Sequence, residues 1–400
     1  GVYMLELFHG PTCAFKDMAL TLLPYLLRAG SDMLGVKEQI LILVATSGDT
    51  GKAALEGFRD AEGIKIMVFY PDDGVSKMQK LQMCTQEGGN VNVVAVKGNF
   101  DDCQTAVKKI FASEECKAQL KEKNTILSSA NSINFGRLAP QIAYYFSAYL
   151  DLLSSDQIQP GEEVNFTVPT GNFGNILAAY YAKRMGLPVG KLVCASNRNN
   201  VLTDFIRSGK YKTAGRAFHK TMSPSMDILI SSNLERLVFE LSGRNAALTA
   251  ERMRDLSQKG CYEISEEERQ AMQKEFFAGY ATEDQTVECI YDLFTEIGYP
   301  MDTHTGVAMS VARDYFEKEK DDKRNMVIVS TASPYKFPQD VLYALTGNDV
   351  KDSFKGVKRI NALTAMAIPA SLAGLRDKPV RFRKSVPVAD AFKEVLKFLE

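Results

Sequence analysis

Histidine is scarce in this chain: His9, His219 and His304 are the only three in 400 residues. So small a number argues against a zinc site built on imidazole ligands. The seven cysteines form no C-x-x-C pair and their number is odd. That argues against a disulfide framework and for reduced thiols in a cytoplasm. Neither sign of charge is in excess, since 48 Lys and Arg face 49 Asp and Glu for a net charge of −1. A nucleic-acid or anionic-membrane surface is therefore not expected. No apolar run reaches the roughly 18 residues that a membrane-spanning helix needs. There is no signal-peptide pattern, internal repeat or low-complexity segment. The chain opens on Gly1, almost directly into a strand, and we expect a further segment to precede it.

The length suits two or three domains with a substantial core, and 45% hydrophobic content is ordinary for a globular chain. Short β-rich runs alternate with helical ones. Strands are expected over residues 2–7, 40–45, 64–70, 91–96 and 125–128. Helices are expected over 18–28, 51–60, 76–86 and 100–123, and from 131 to about 153. Pro160-Gly161 marks a polar connection, residues 154–163, and a plausible domain boundary. A second series follows, with strands at 164–168, 191–195 and 326–329 and helices at 175–185, 226–242, 248–259 and 305–320. Residues 196–224 are polar and irregular, and a last helix begins near Val388. Alternation at this spacing means βαβ units and parallel sheets.

The stretch around which the rest is organised is FHGPTCAFKD, residues 8–17. Lys16 stands where a turn becomes a helix. A helix start carries positive partial charge, a field that would help depress the lysine's pKa and expose a neutral amine suited to an aldehyde cofactor. Taken alone, the stretch also fits a solvated surface lysine.

Five more stretches carry polar chemistry, the last of them more weakly. In ATSGDTGK, residues 45–52, the phosphate-binding P-loop is nearly matched, but Thr46 and Ala53 stand where that motif needs Gly and Ser or Thr. What remains is either an anion cup at a helix start or a plain N-cap by Ser47, Asp49 or Thr50. TGNFGN, residues 170–175, follows an apolar strand and precedes a helix. It forms a phosphate cradle without a lysine, or a structural turn, and it lacks the G-x-G-x-x-G of dinucleotide sites. NSINFGR, residues 131–137, sets Ser132, Asn134 and Arg137 at a helix start, and an arginine there is either an anion ligand or a surface residue beside a Ser132 cap. Ser330-Thr331-Ala332-Ser333 places hydroxyls at a strand's carboxyl edge, where α/β sheets bind ligands. In MDTHTG, residues 301–306, caps by Asp302 or Thr303 explain most of the pattern, and His304 reads as structural.

Together these stretches resemble the threonine synthases, pyridoxal-phosphate enzymes of fold type II related to the tryptophan synthase β chain. The likeness runs through the whole sequence in order, and the stretches around Lys16 and residues 171–175 are its specific parts. It implies two parallel-sheet α/β domains with the cofactor in the cleft between them. Residues 1–30 would open the large cofactor domain, 31–153 form a smaller α/β domain, 160–346 complete the large one, and 347–400 pack on it. Members carry a further N-terminal segment of roughly ninety residues, judged by usual domain sizes.

By the same resemblance Lys16 holds pyridoxal 5'-phosphate as a Schiff base. Gly171, Asn172, Phe173, Gly174 and Asn175 bind its phosphate, and Thr331, or Ser330 beside it, meets the pyridine nitrogen. Ser47, Gly48 and Thr50 hold the substrate carboxylate. Asp49 borders the ring oxygen, where many relatives have Asn. Ser132, Asn134 and Arg137 take the substrate phosphate. The implied reaction converts O-phospho-L-homoserine and water to L-threonine and phosphate, in a cytoplasmic monomer or homodimer. The alternatives are another lyase of the fold, either a phosphohomoserine phospho-lyase or a threonine or serine dehydratase.

Overall fold

The computed structural model describes every residue except Ser47, Asp73 and Gly74 and the side chains of Phe100 and Asp101. The chain forms two compact units. The first holds Gly1–Leu7 and Gln141–Met366; the second holds Phe8–Pro140 and Ala367–Glu400. Among the described residues there are twelve strands. They are β1 (Val2–Glu6), β2 (Gln39–Ala45), β3 (Ile64–Pro71), β4 (Val91–Val96), β5 (Thr125–Ser128), β6 (Val164–Pro169), β7 (Val189–Ser196), β8 (Lys210–Lys212), β9 (Cys261–Glu263), β10 (Phe276–Tyr280), β11 (Asn325–Ser330) and β12 (Ser385–Val386). The early helices are α1 (Asp17–Leu20), α2 (Leu23–Leu34), α3 (Asp49–Gly57), α4 (Lys77–Cys84), α5 (Phe100–Ala112), α6 (Glu114–Glu122), α7 (Phe135–Ser154) and α8 (Gly174–Arg184).

The first unit is built on a sheet of order β1-β11-β6-β7-β10, with every pairing parallel. Strands β8 and β9 form a small antiparallel ribbon. The second unit has a sheet of order β12-β4-β3-β2-β5, also parallel throughout. Its strands read as continuous apolar runs because helices cover both faces. Ile40, Ile42 and Val44 of β2 enter one buried cluster, with Leu20, Phe58 and Met83. Leu41, Leu43 and Ala45 enter the opposite one, with Val107, Ile110 and Val395. Alternation along the strand divides the two sets.

Strand order reverses once in each sheet. In the second unit β2 leads to β3 and β4 on one side, and β5 returns to its other side. In the first, β6 leads to β7 and β10 on one side, and β11 returns on the other. In α/β sheets such reversals are where loops diverge and ligands bind.

Several expectations need correction. The chain leaves the first unit at Leu7, not near residue 30, so Lys16 belongs to the second unit. The next boundary falls inside α7 at Pro140, not at residue 153; a proline there removes one helical hydrogen bond. The C-terminal segment divides: up to Met366 it belongs to the first unit, as expected, and only the remainder does not. From Ala367 it joins the second unit, where β12 pairs with β4 and Val386, Ala391 and Val395 enter the core. The helix expected over 18–28 is split into α1 and α2, with Pro24 in the first turn of α2. The one expected over 100–123 breaks at Ser113, whose hydroxyl caps α6 by accepting from Cys116 N–H at 3.2 Å. Helix α7 begins at Phe135, not residue 131. The helix expected over 226–242 covers only Leu234–Leu241, and the irregular 196–224 stretch contains the helix Val201–Ser208.

Leu43 is fully buried at the centre of β2. Leu43→Ala should lower stability by about 2–5 kcal/mol, the range for a truncated core leucine, read as a fall in the urea midpoint of the second unit's transition.

Candidate functional site

In the second unit the residues singled out from the sequence gather at the carboxyl ends of β2 and β5. The turn leaving β2 is held by Thr46, whose hydroxyl accepts from the N–H groups of Gly48 and Gly51, both at 2.9 Å. Gly48 has φ of 145°, a conformation that side chains avoid. Asp49 opens α3 and is buried; half-buried Thr50 follows it. Ser47 lies outside the described residues. The loop leaving β5 is tied to the same strand end, because Asn131 Nδ2 donates to Ala45 O at 3.3 Å.

Asn134 shapes that loop more than it faces a ligand. Its Nδ2 donates to Ser129 O at 2.8 Å and its Oδ1 accepts from Gly136 N–H at 2.9 Å. One amide hydrogen is left. Arg137 is 6% exposed and donates from Nη1 to Ala130 O at 3.1 Å. Burial pulls its guanidinium down to about 10. A buried cation is stabilised by an anion at hand. Ser132 sits half-buried at the loop's start.

Lys16 lies on the same unit, 8% exposed. Its Nζ is 3.7 Å from Asp49 Oδ2 and 4.9 Å from the centroid of the Phe15 ring. Helix α1 is a single turn, so its dipole is small. The charge that Lys16 meets is the Asp49 carboxylate, in place of the unfavourable helix-end field expected from the sequence. The approach to Lys16 is braced by Asp17. Its carboxylate accepts from Thr12 N–H at 2.8 Å and from the Thr12 hydroxyl at 2.5 Å. A Cβ on Gly10 would fall 2.6 Å from that carboxylate, so glycine is required there.

In the first unit the remaining candidates gather at the ends of the neighbouring strands β6 and β11, which pair through Ile328 and Thr167. The 171–175 turn starts α8, and Phe173 caps it at φ of 64° with its side chain buried. Two of the turn's carbonyls are taken up by residues 231 and 233. Gly171 O accepts from the Ser231 hydroxyl at 2.8 Å, and Asn172 O accepts from Asn233 N–H at 3.1 Å. The first N–H groups of α8 have no partner within the helix. Asn175 is held by two tyrosines of α7. Its Oδ1 accepts from the hydroxyls of Tyr144 and Tyr145, the latter at 2.7 Å. Burial raises both phenols well above their ordinary range, so they stay protonated donors. With Oδ1 occupied, Asn175 Nδ2 is directed elsewhere, and this buried group has no protein partner.

Ser330 ends β11 with its hydroxyl 3.0 Å from that of Thr305, and Thr331 follows, also buried. Thr305 is itself bound to Asp302. The same carboxylate lies 2.7 Å from His304 Nδ1, while His304 Nε2 accepts from Ser225 N–H at 3.2 Å. With both ring nitrogens engaged, His304 is a structural link rather than a base.

The sequence reading missed the supporting groups. Tyr144 and Tyr145 are adjacent tyrosines on an amphipathic helix and carry no local signal.

The family described as pyridoxal-phosphate dependent enzyme matches residues 2–332, and the family described as threonine synthase, C-terminal, matches residues 305–396. The threonine synthase of Pseudomonas aeruginosa is 40% identical over 379 residues, which cover 95% of this chain and 74% of that protein. Human threonine synthase-like 1 is 42% identical over 357 residues, 88% of this chain and 47% of that protein. The chain thus spans about half the length of the threonine synthase-like 1 relatives it matches. The crystal structure of pyridoxal-phosphate-bound threonine synthase from Brucella melitensis superposes with a TM-score of 0.85 at 39% identity. That match covers 100% of this chain and 78% of the other.

Asn175→Ala would remove the acceptor shared by Tyr144 and Tyr145. Each phenol keeps a second acceptor, Gln141 Oε1 and Asn175 O respectively. The expected loss is therefore about 1–3 kcal/mol, the range for one weakened buried pairing, measured by urea unfolding of the first unit.

Proposed function

The chain belongs to the threonine synthase family of pyridoxal-phosphate dependent enzymes, and from that premise we propose that it converts O-phospho-L-homoserine and water to L-threonine and phosphate. The observation that carries the phosphorylated substrate is Arg137. It is a buried guanidinium at the carboxyl ends of β2 and β5, on the same unit as Lys16.

The residues fit pyridoxal phosphate. The unpartnered Nδ2 of Asn175 and the open N–H groups of α8 suit a phosphate. Gly171, Asn172, Phe173, Gly174 and Asn175 would bind it there. Lys16 would be the covalent anchor. Ser330 is engaged with Thr305, so Thr331 is the hydroxyl assigned to the pyridine nitrogen. When bound, the cofactor supplies the electron sink for charge developing on the substrate.

The protein's own groups do the rest. N–H groups at the start of α3, with Ser47 and Thr50, hold the substrate carboxylate; Gly48, expected to join them, has its N–H bonded to Thr46 and shapes the turn instead. Asp49 would keep the Lys16 amine oriented; that amine would take the proton from Cα, give it up before taking one from Cβ, and return one to Cγ once phosphate has left and one to Cα once water has added at Cβ. Arg137, with Ser132 and the remaining amide hydrogen of Asn134, takes the phosphate that leaves from Cγ and stabilises its charge. Water adds at Cβ. The seven cysteines are free thiols, and we place the enzyme in the cytoplasm on that basis. No described helix is long and apolar enough to cross a membrane.

Product analysis tests the reading. Phosphohomoserine should yield threonine and phosphate in equal amounts; 2-oxobutanoate in place of threonine would identify a phospho-lyase. Lys16→Ala should abolish turnover and the borohydride-sensitive visible absorption while the melting curve stays cooperative. Arg137→Ala should reduce turnover of phosphohomoserine about ten- to hundredfold, the worth of one charged hydrogen bond, and that of an unphosphorylated analogue far less. Equal losses on both would make Arg137 structural.

A further inference from the structure

Gln79 lies outside every assignment above, yet it touches the group next to Lys16. It is the third residue of α4, four per cent exposed. Ser76 caps this helix and accepts from Gln79 N–H at 3.2 Å. In a capping box with this spacing the glutamine side chain turns back to the N–H of the cap residue. Among the described residues three helices close the box in that way, at Asn99 with Asp102, Ser265 with Glu268 and Thr282 with Gln285. Gln79 does not. Its Oε1 accepts from the Ser76 hydroxyl at 3.0 Å, and its Nε2 donates to Asp49 Oδ1 at 3.1 Å.

Two features make this contact directional. Ser76 has one hydroxyl proton and gives it to Oε1, so the carboxamide is turned with its donor toward the carboxylate. Gly48 leaves the space, because a Cβ there would fall 2.4 Å from the Gln79 amide carbon. Asp49 is then held through one oxygen by Gln79 and presents the other to Lys16 Nζ at 3.7 Å. The chain of contacts runs from Ser76 through Gln79 and Asp49 to Lys16, all on one unit.

We infer that Gln79 is a positioning residue for the Lys16 amine, acting through Asp49. It fixes the plane of the carboxylate and supplies a neutral donor to a buried anion. The inference rests on Lys16 being the cofactor's anchor.

The test uses the cofactor-free chain and follows pyridoxal phosphate capture by visible absorption, alongside kcat and KM for phosphohomoserine. Gln79→Met keeps the side chain's length and removes the donor; Gln79→Glu puts an acceptor where the donor was. Gln79→Met should slow capture and lower kcat about tenfold, as loss of a charged hydrogen bond implies, with KM within about twofold. Gln79→Glu should be slower still. In an Asp49→Ala background Gln79→Met should add less than about twofold. Capture at the wild-type rate by Gln79→Glu, or a Gln79→Met loss of the same size in the Asp49→Ala background, would overturn the inference alone. Should Gln79→Met fail to fold, Gln79→Glu decides. Wild-type protein that captures no cofactor would overturn the inference together with the function beneath it.

Discussion

Parallel pairing is the constraint on which the rest depends. When every strand of a sheet runs the same way, all carboxyl ends lie along one edge, and each chain reversal must cross a face as a helix. Loops at that edge are then the cheapest place to gather polar groups. In the second unit the reversal of order between β2 and β5 brings Gly48, Asp49 and Thr50 beside the loop of Ser132, Asn134 and Arg137. In the first, the reversal between β6 and β11 brings the start of α8 beside Ser330 and Thr331. Residues scattered over three hundred positions are gathered at two sheet edges by topology alone.

What this arrangement holds is unfavourable by itself. A lysine, an aspartate and an arginine are all buried at the edge of one sheet, and buried charge is stabilising only when paired and hydrogen-bonded. The fold answers with dense neutral support. Thr46 takes two backbone N–H groups, Thr12 braces Asp17, and Gln79 and Ser76 stand behind Asp49. In the other unit two protonated tyrosines do the same for Asn175. The apolar core on either face of β2 supplies the stability against which such groups are held.

Much of this was legible in the sequence, for a physical reason. Runs such as QILILVA are apolar at every position because both faces are covered, so the strands stood out, and the turns after them are marked by Gly, Asn, Ser and Thr. The capped break at Ser113 was missed although it carries a local signal, a serine before two glutamates. Long-range relations were not legible. Nothing near Asn175 announces tyrosines thirty residues away, and the three-residue β8 and β9 fall below what periodicity resolves. The S-x-x-Q of α4 spells a closed capping box, and only the geometry of Asp49 and Gly48 shows that it opens.

The two-residue strand β12 has a reach beyond its size. Ala95 N–H donates to Lys384 O at 2.9 Å and Lys97 N–H to Val386 O at 2.8 Å, so the tail answers groups that would otherwise lie bare along β4. Stripped of it, by a protease nick or a premature stop, β4 would become an open apolar margin able to recruit strands from other molecules. The last thirty or so residues therefore act as a selvedge, the woven border that keeps this sheet from unravelling into its neighbours.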